Sequence, residues 1–176
     1  MKLFRRRPSL PAASRPPLAA EERVVAWCQV AESPEDVVVA TNHGLWLPSA
    51  VDRLGWHEIH KAAWSGRELR ITPAETAVER DGYTVLVDGP VVSFLLLEPG
   101  ELPDQVRARV TRSVAYTSHH SLPAGAVRVV GRRVPGRNGL SWAVRYDSGT
   151  PVDADEVLAA TDELVGAARS ATEAVD

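Results

Sequence analysis

The stretch from 37 to 72, VVVATNHGLWLPSAVDRLGWHEIHKAAWSGRELRIT, decides how the rest of the chain is read. Val37–Thr41 is a β-branched run of the kind that forms a buried strand. Asn42, His43 and Gly44 tolerate the positive φ that a hairpin loop needs, so Leu45–Leu47 is expected to return as a second strand, which Pro48 stops. Arg53–Lys61 alternates Leu54, Trp56 and Glu58 against Gly55, His57 and Ile59, a strand-like period. Ser65-Gly66 turns the chain, and Glu68–Thr72 places Leu69 and Ile71 on one face. Three of the five tryptophans fall in this stretch. It reads as three or four short strands joined by tight turns.

On its N-terminal side, Glu21–Val30 (EERVVAWCQV) fits neither period cleanly, and its β-branched and aromatic content favours a strand. Glu32–Asp36 (ESPED) has turn composition. On its C-terminal side, Asp81-Gly82 is a two-residue turn between strands at Thr76–Arg80 and Tyr83–Asp88. Val91–Glu98 (VVSFLLLE) is close to continuously apolar and predicts a central strand. The period then changes. Val106, Val110 and Val114 recur every four residues, Pro103 suits a first helical turn, and Asp104 complements the helix N-terminus. An amphipathic helix over about 102–114 follows, with Arg107, Arg109 and Arg112 outward. Tyr116–Leu122 reads as a loop or an edge strand. Ala126–Val134 and Leu140–Tyr146 flank a Pro/Gly/Asn loop and predict a hairpin. Asp153 and Glu156 read as an N-terminal capping pair. Beyond them Val157, Leu158, Thr161, Leu164, Val165 and Ala168 form one apolar stripe of a helix over about 153–170.

The segments T-N-H-G-L-W-L-P, R-L-G-W-H-E-I and E-L-R-I-T, preceded by E-R-V-V-A-W, resemble the first sheet of bacterial pleckstrin-homology-like (PH-like) domains. The whole chain also resembles small actinobacterial proteins with W-x-E-I and R-R-V-P-G segments. The PH-like resemblance covers about residues 21–72. It implies an α+β fold with an antiparallel PH-like β-barrel or β-roll, plugged by a C-terminal helix and carrying the helix near 102–114 as an addition. Such barrels host lipid, peptide and protein binding alike, so the resemblance names no ligand. The extra helix and hairpin allow two arrangements: one barrel with an insertion, or two β–α halves side by side.

The chain of 176 residues is 44% hydrophobic and 24% charged, enough apolar material for one domain with its own core. The longest apolar run, Val91–Leu97, is interrupted by Ser93 and is too short to span a membrane. One cysteine, Cys28, excludes an internal disulfide and agrees with a cytoplasmic location. The net charge of −3 hides an asymmetry. Residues 1–20 carry five basic residues and no acid, so residues 21–176 hold 15 basic against 23 acidic, or −8. With prolines at 8, 11, 16 and 17, residues 1–20 read as a disordered basic arm before a single domain over 21–176. Pro8 and Pro11 leave no room for the apolar stretch of a secretory signal.

No constellation spells out a reaction. His57 and His60 stand three apart on an expected strand and diverge, as do His119 and His120, so no metal is expected. Cys28 sits in an apolar run and reads as an inert buried thiol. Neither a G-x-S-x-G elbow nor a phosphate-binding glycine loop is present, and no cofactor is expected. The arginines carry more information. Arg128, Arg132, Arg133 and Arg137 lie on the expected hairpin, and Arg107, Arg109 and Arg112 on the helix before it, where an anionic pocket or an acidic protein surface could dock. Arg5, Arg6 and Arg7 are candidates for weak contact with an anionic membrane. Trp56 and Trp142 are expected inside, and Trp46 and Trp64, beside turns, as exposed anchors. The favoured reading is a non-enzymatic module binding a protein partner. Nucleic-acid binding through the arm and the hairpin is the alternative, and an enzyme of unrecognised type stands behind it.

Overall fold

The structure is a computed structural model that describes residues 8–175. Eleven strands and two α-helices occur among these residues. They are β1 (Val24–Val30), β2 (Ser33–Thr41), β3 (Gly44–Trp46), β4 (Leu54–Gly55), β5 (Ile59–Trp64), β6 (Glu68–Arg80), β7 (Tyr83–Asp88), β8 (Val92–Leu97), α1 (Leu102–Ser113), β9 (Val114–Ser121), β10 (Ala126–Arg133), β11 (Leu140–Tyr146) and α2 (Asp155–Glu173). Hydrogen bonding runs β4-β3-β2-β1-β8-β6-β7-β11-β10-β9, with β5 paired to β6 off this path. The fold is α+β and mostly antiparallel, β7 and β11 being a parallel pair. No pairing among the described residues joins β4 to β9, so the path does not close into a barrel.

The molecule is two β–α halves joined through one long strand. β6 pairs with β5 and β8 through Glu68–Pro73, then with β7 from Ala74 to Arg80. Pro73 stands where the partner changes, a place that tolerates a residue without an N–H donor. Sequence reading had expected two strands here, at Glu68–Thr72 and Thr76–Arg80. The first core gathers Cys28, Val38, Leu45, Trp56, Ile59, Leu69 and Ile71 under Leu102, Val106 and Val110 of α1. The second gathers Tyr83, Val85, Val127, Val129, Trp142 and Val144 under Val165 and Ala168 of α2. The helix packed on the strands of the 21–72 region is therefore α1, whereas α2 covers the second half.

Other local expectations shift for physical reasons. Glu32–Asp36 is not a free turn: β2 begins at Ser33, with Ser33 opposite Val30. The alternation over Arg53–Lys61 is broken by a 3-10 turn at Trp56–Glu58, where the Glu58 carboxylate accepts the Gly55 N–H at 2.7 Å. Of the segment expected as a loop or an edge strand, Tyr116–Ser121 belongs to the edge strand β9, which ends before Leu122. α2 starts at Asp155 behind Ala154, without a side-chain cap, so the Asp153/Glu156 pair does not close its N-terminus.

Residues 8–20, expected as a disordered arm, lie on the outer face of the first half. A 3-10 turn at Ala12–Ser14 precedes the strands, and Leu10 is buried against Val39 and Trp46, with Leu18 beside it. Arg5, Arg6 and Arg7 lie outside the described residues. Among the described residues no helix is long and apolar enough to cross a membrane.

The seam between the halves is polar and tied. Arg132 of β10 is buried and donates through Nη1 to the Ile59 carbonyl at 3.1 Å and to Ser113 Oγ at 2.9 Å. Asp88 at the end of β7 receives Arg145 Nη2 at 2.6 Å and lies 2.7 Å from His60 Nδ1.

Candidate functional site

Where α1 ends, the two halves part and leave a groove of about 880 Å³. Its walls are the last turns of α1, the start of β9, the β10–β11 loop and the end of α2, and Trp56 lies at its base. Helical spacing explains the α1 wall. Val106 and Val110 turn into the first core, so Arg109 and Arg112, three apart, share the flank that faces the groove. The loop wall bends at Gly136 and Gly139, with φ of +78° and +76°, which favours glycine at both positions. This loop carries Pro135 and Arg137 to the groove and brings Arg133 alongside.

The second-half wall depends on a close approach. A Cβ at Gly131 would meet the Trp142 ring at 3.1 Å and Leu140 at 3.0 Å, so a glycine there leaves room for the aromatic pair beyond it. That pair is Tyr116 and Trp142, with centroids 5.5 Å apart and planes tilted by 57°. Trp56 is 3% exposed and donates its indole N–H to the Thr41 carbonyl at 3.1 Å.

Four arginines, Arg109, Arg112, Arg133 and Arg137, line this groove, and no carboxylate does among the described residues. None of the four forms an ion pair among the described residues, whereas Arg53, Arg70 and Arg145 each pair with an acid elsewhere. Arg133 donates to the Arg112 carbonyl at 2.9 Å, which fixes its position without neutralising it. Arg109 Nε is buried with no hydrogen-bond partner among the described residues. Burial lowers the Arg109 pKa, and the nearby Arg112 and Arg23 charges lower it further.

Past Arg137 the groove continues into a recess of about 310 Å³, which shares Val134, Pro135 and Arg137 with it. The recess adds His43, Arg53, Gly55, His57 and Glu58. Arg53 Nη1 pairs with buried Glu22 at 2.6 Å, but Arg53 Nε and His57 Nδ1 are buried without partners among the described residues. Burial lowers the His57 pKa; Glu58 opposes this, and Arg132, Arg137 and Arg53 add to it.

Of the residues singled out from sequence, Arg133 and Arg137 meet at the groove, joined by Arg109 and Arg112 of α1. Arg132 does not belong to this surface, because α1 and β5 cover its end of β10 and it serves the seam. Arg128, four residues away on the same strand, stays exposed and outside the groove. Trp46 is not an exposed anchor: it is 8% exposed and donates to Glu22 Oε1 at 3.0 Å. Trp64 is half-buried against the first core. Trp56 and Trp142 are inside, as expected. Sequence reading missed the recess, because His43, Arg53 and His57 meet Val134–Arg137 only through tertiary packing.

His119 and Cys28 are engaged away from the groove. His119 lies 2.9 Å from Asp147, and Cys28 Sγ donates to the Leu97 carbonyl at 3.1 Å. Burial raises the Cys28 pKa, the Leu97 bond opposes this, and Glu98 adds to it. Among the described residues no three His, Cys, Asp or Glu side chains gather as a metal site. No protein-family model, curated protein or solved structure matches this chain.

Proposed function

We propose that the chain is a cytoplasmic, non-enzymatic binding module that docks a protein partner in the groove between its two halves. One observation carries this reading: four arginines without acid partners among the described residues surround a concave, partly apolar surface on a protein whose acids outnumber its bases. Unpaired guanidiniums around an apolar floor suit a partner that brings both carboxylates and apolar side chains. In this reading the first half is a PH-like sandwich. The support is its order of elements, short strands followed at once by a helix that covers their core. The second half supplies the other wall of the groove.

Site-specific photo-crosslinking in cells tests the reading. A photoreactive residue in place of Asn138, on the exposed groove loop, is expected to give discrete protein adducts. The same residue in place of Val51, 87% exposed and outside the groove lining, is expected to give none. Adducts at 51 without adducts at 138 would place the partner elsewhere.

A further inference from the structure

Resting on that docking reading, we infer that the groove takes a short acidic segment of the partner, with one carboxylate entering the recess beyond Arg137. Three of the four buried polar atoms without partners among the described residues lie at this groove and recess: Arg109 Nε, Arg53 Nε and His57 Nδ1. Buried donors in folded proteins are nearly always satisfied, so the two unsatisfied guanidinium Nε groups mark where an acceptor is received, and His57 Nδ1 joins them in the tautomer that carries its proton there. Guanidinium groups match carboxylates in charge and in planar geometry. The recess has one carboxylate of its own among the described residues, Glu58, whose Oε2 accepts the Gly55 N–H, against the guanidiniums of Arg53 and Arg137. Leu140 and Pro135 give the same segment an apolar footing.

Two features favour a peptide over a nucleic acid. Strand-binding proteins stack bases on free aromatic faces. Here Tyr116 is packed on Trp142, and Trp56 is 3% exposed. A long polyanion leaving the groove would also run over a body whose residues 21–176 sum to −8, while a short segment ends before it.

The test selects a displayed random-peptide library on the immobilised full chain. The selected peptide is then titrated against wild type, Arg112→Glu/Arg137→Glu, Arg137→Ser, Leu140→Arg and Arg128→Glu. Enrichment of Asp and Glu around an apolar residue is expected. The double charge reversal should weaken binding by about tenfold or more, Arg137→Ser should weaken it less, and Arg128→Glu should leave it unchanged. Melting curves confirm folding, and Arg137→Ser gives an independent reading because that exposed loop side chain makes no hydrogen bond or ion pair within the described fold. Enriched peptides without acids that still lose binding in Leu140→Arg would overturn the acidic assignment and leave the docking reading standing. Peptides indifferent to every groove change would overturn both. Single-stranded RNA, duplex DNA and phosphatidylserine vesicles are assayed in parallel. Retention of any of these through Arg112 and Arg137, with no acidic peptide enriched, would also overturn the inference.

Discussion

Glu22 holds the outer layer of the first half in place. Its carboxylate accepts Thr41 Oγ1 at 2.6 Å, Arg53 Nη1 at 2.6 Å, the Trp46 indole at 3.0 Å and the Ala19 N–H at 3.1 Å. Burial alone would raise its pKa, but these bonds and the Arg53 charge outweigh burial and hold it below the usual range. Glu22→Gln should therefore destabilise the protein by about 3–5 kcal/mol, because it strips the charge partner from Arg53. The same group sets a pH dependence. Its folded-state pKa is depressed, so its contribution is present in full above the unfolded carboxylate value of about 4.3 and fades as pH falls through the folded value. Urea midpoints across this acid range should drop more steeply for wild type than for Glu22→Gln. Parallel curves would contradict the assignment. None of this was legible locally: Glu21 and Glu22 look alike in sequence, and only the side chain of the second has bonds to partners 19 to 31 positions away.

At the scale of elements, periodicity identified the helices and missed where the chain changes partners. The α2 stripe is real, but its buried line is Val157, Thr161, Val165 and Ala168, with Leu164 at the margin. Val165→Asp should cost about 4 kcal/mol by placing an unpaired charge in the second core. Leu164→Asp should cost less, and equal melting temperatures for the two would contradict this packing. The segment before β1 was misread because its prolines and arginines mask two leucines. Leu10→Ala should cost about 2 kcal/mol by opening a gap over Val39 and Trp46. A denaturation midpoint equal to wild type would show that the segment contributes nothing. The continuity of β6 was hidden for a related reason. Pro73 looks like a break, yet it sits at the one point where the strand exchanges one set of neighbours for another.

At the scale of the whole molecule, two cores joined by β6 meet at a seam that Arg132 and Asp88 tie and that opens into the groove beyond α1. The hairpin and helix arginines were visible in the sequence as candidates for anion recognition. Their sorting was not, because burial of Arg132 and convergence of Arg109, Arg112, Arg133 and Arg137 depend on how the halves pack. The most direct test is amide chemical-shift mapping of the isotope-labelled full chain titrated with a library-selected peptide. Shifts should concentrate in Arg109–Tyr116, Val134–Leu140 and the last turn of α2, with His57 following as the recess fills. Shifts concentrated instead on β2, β3 and the segment before β1 would contradict the account.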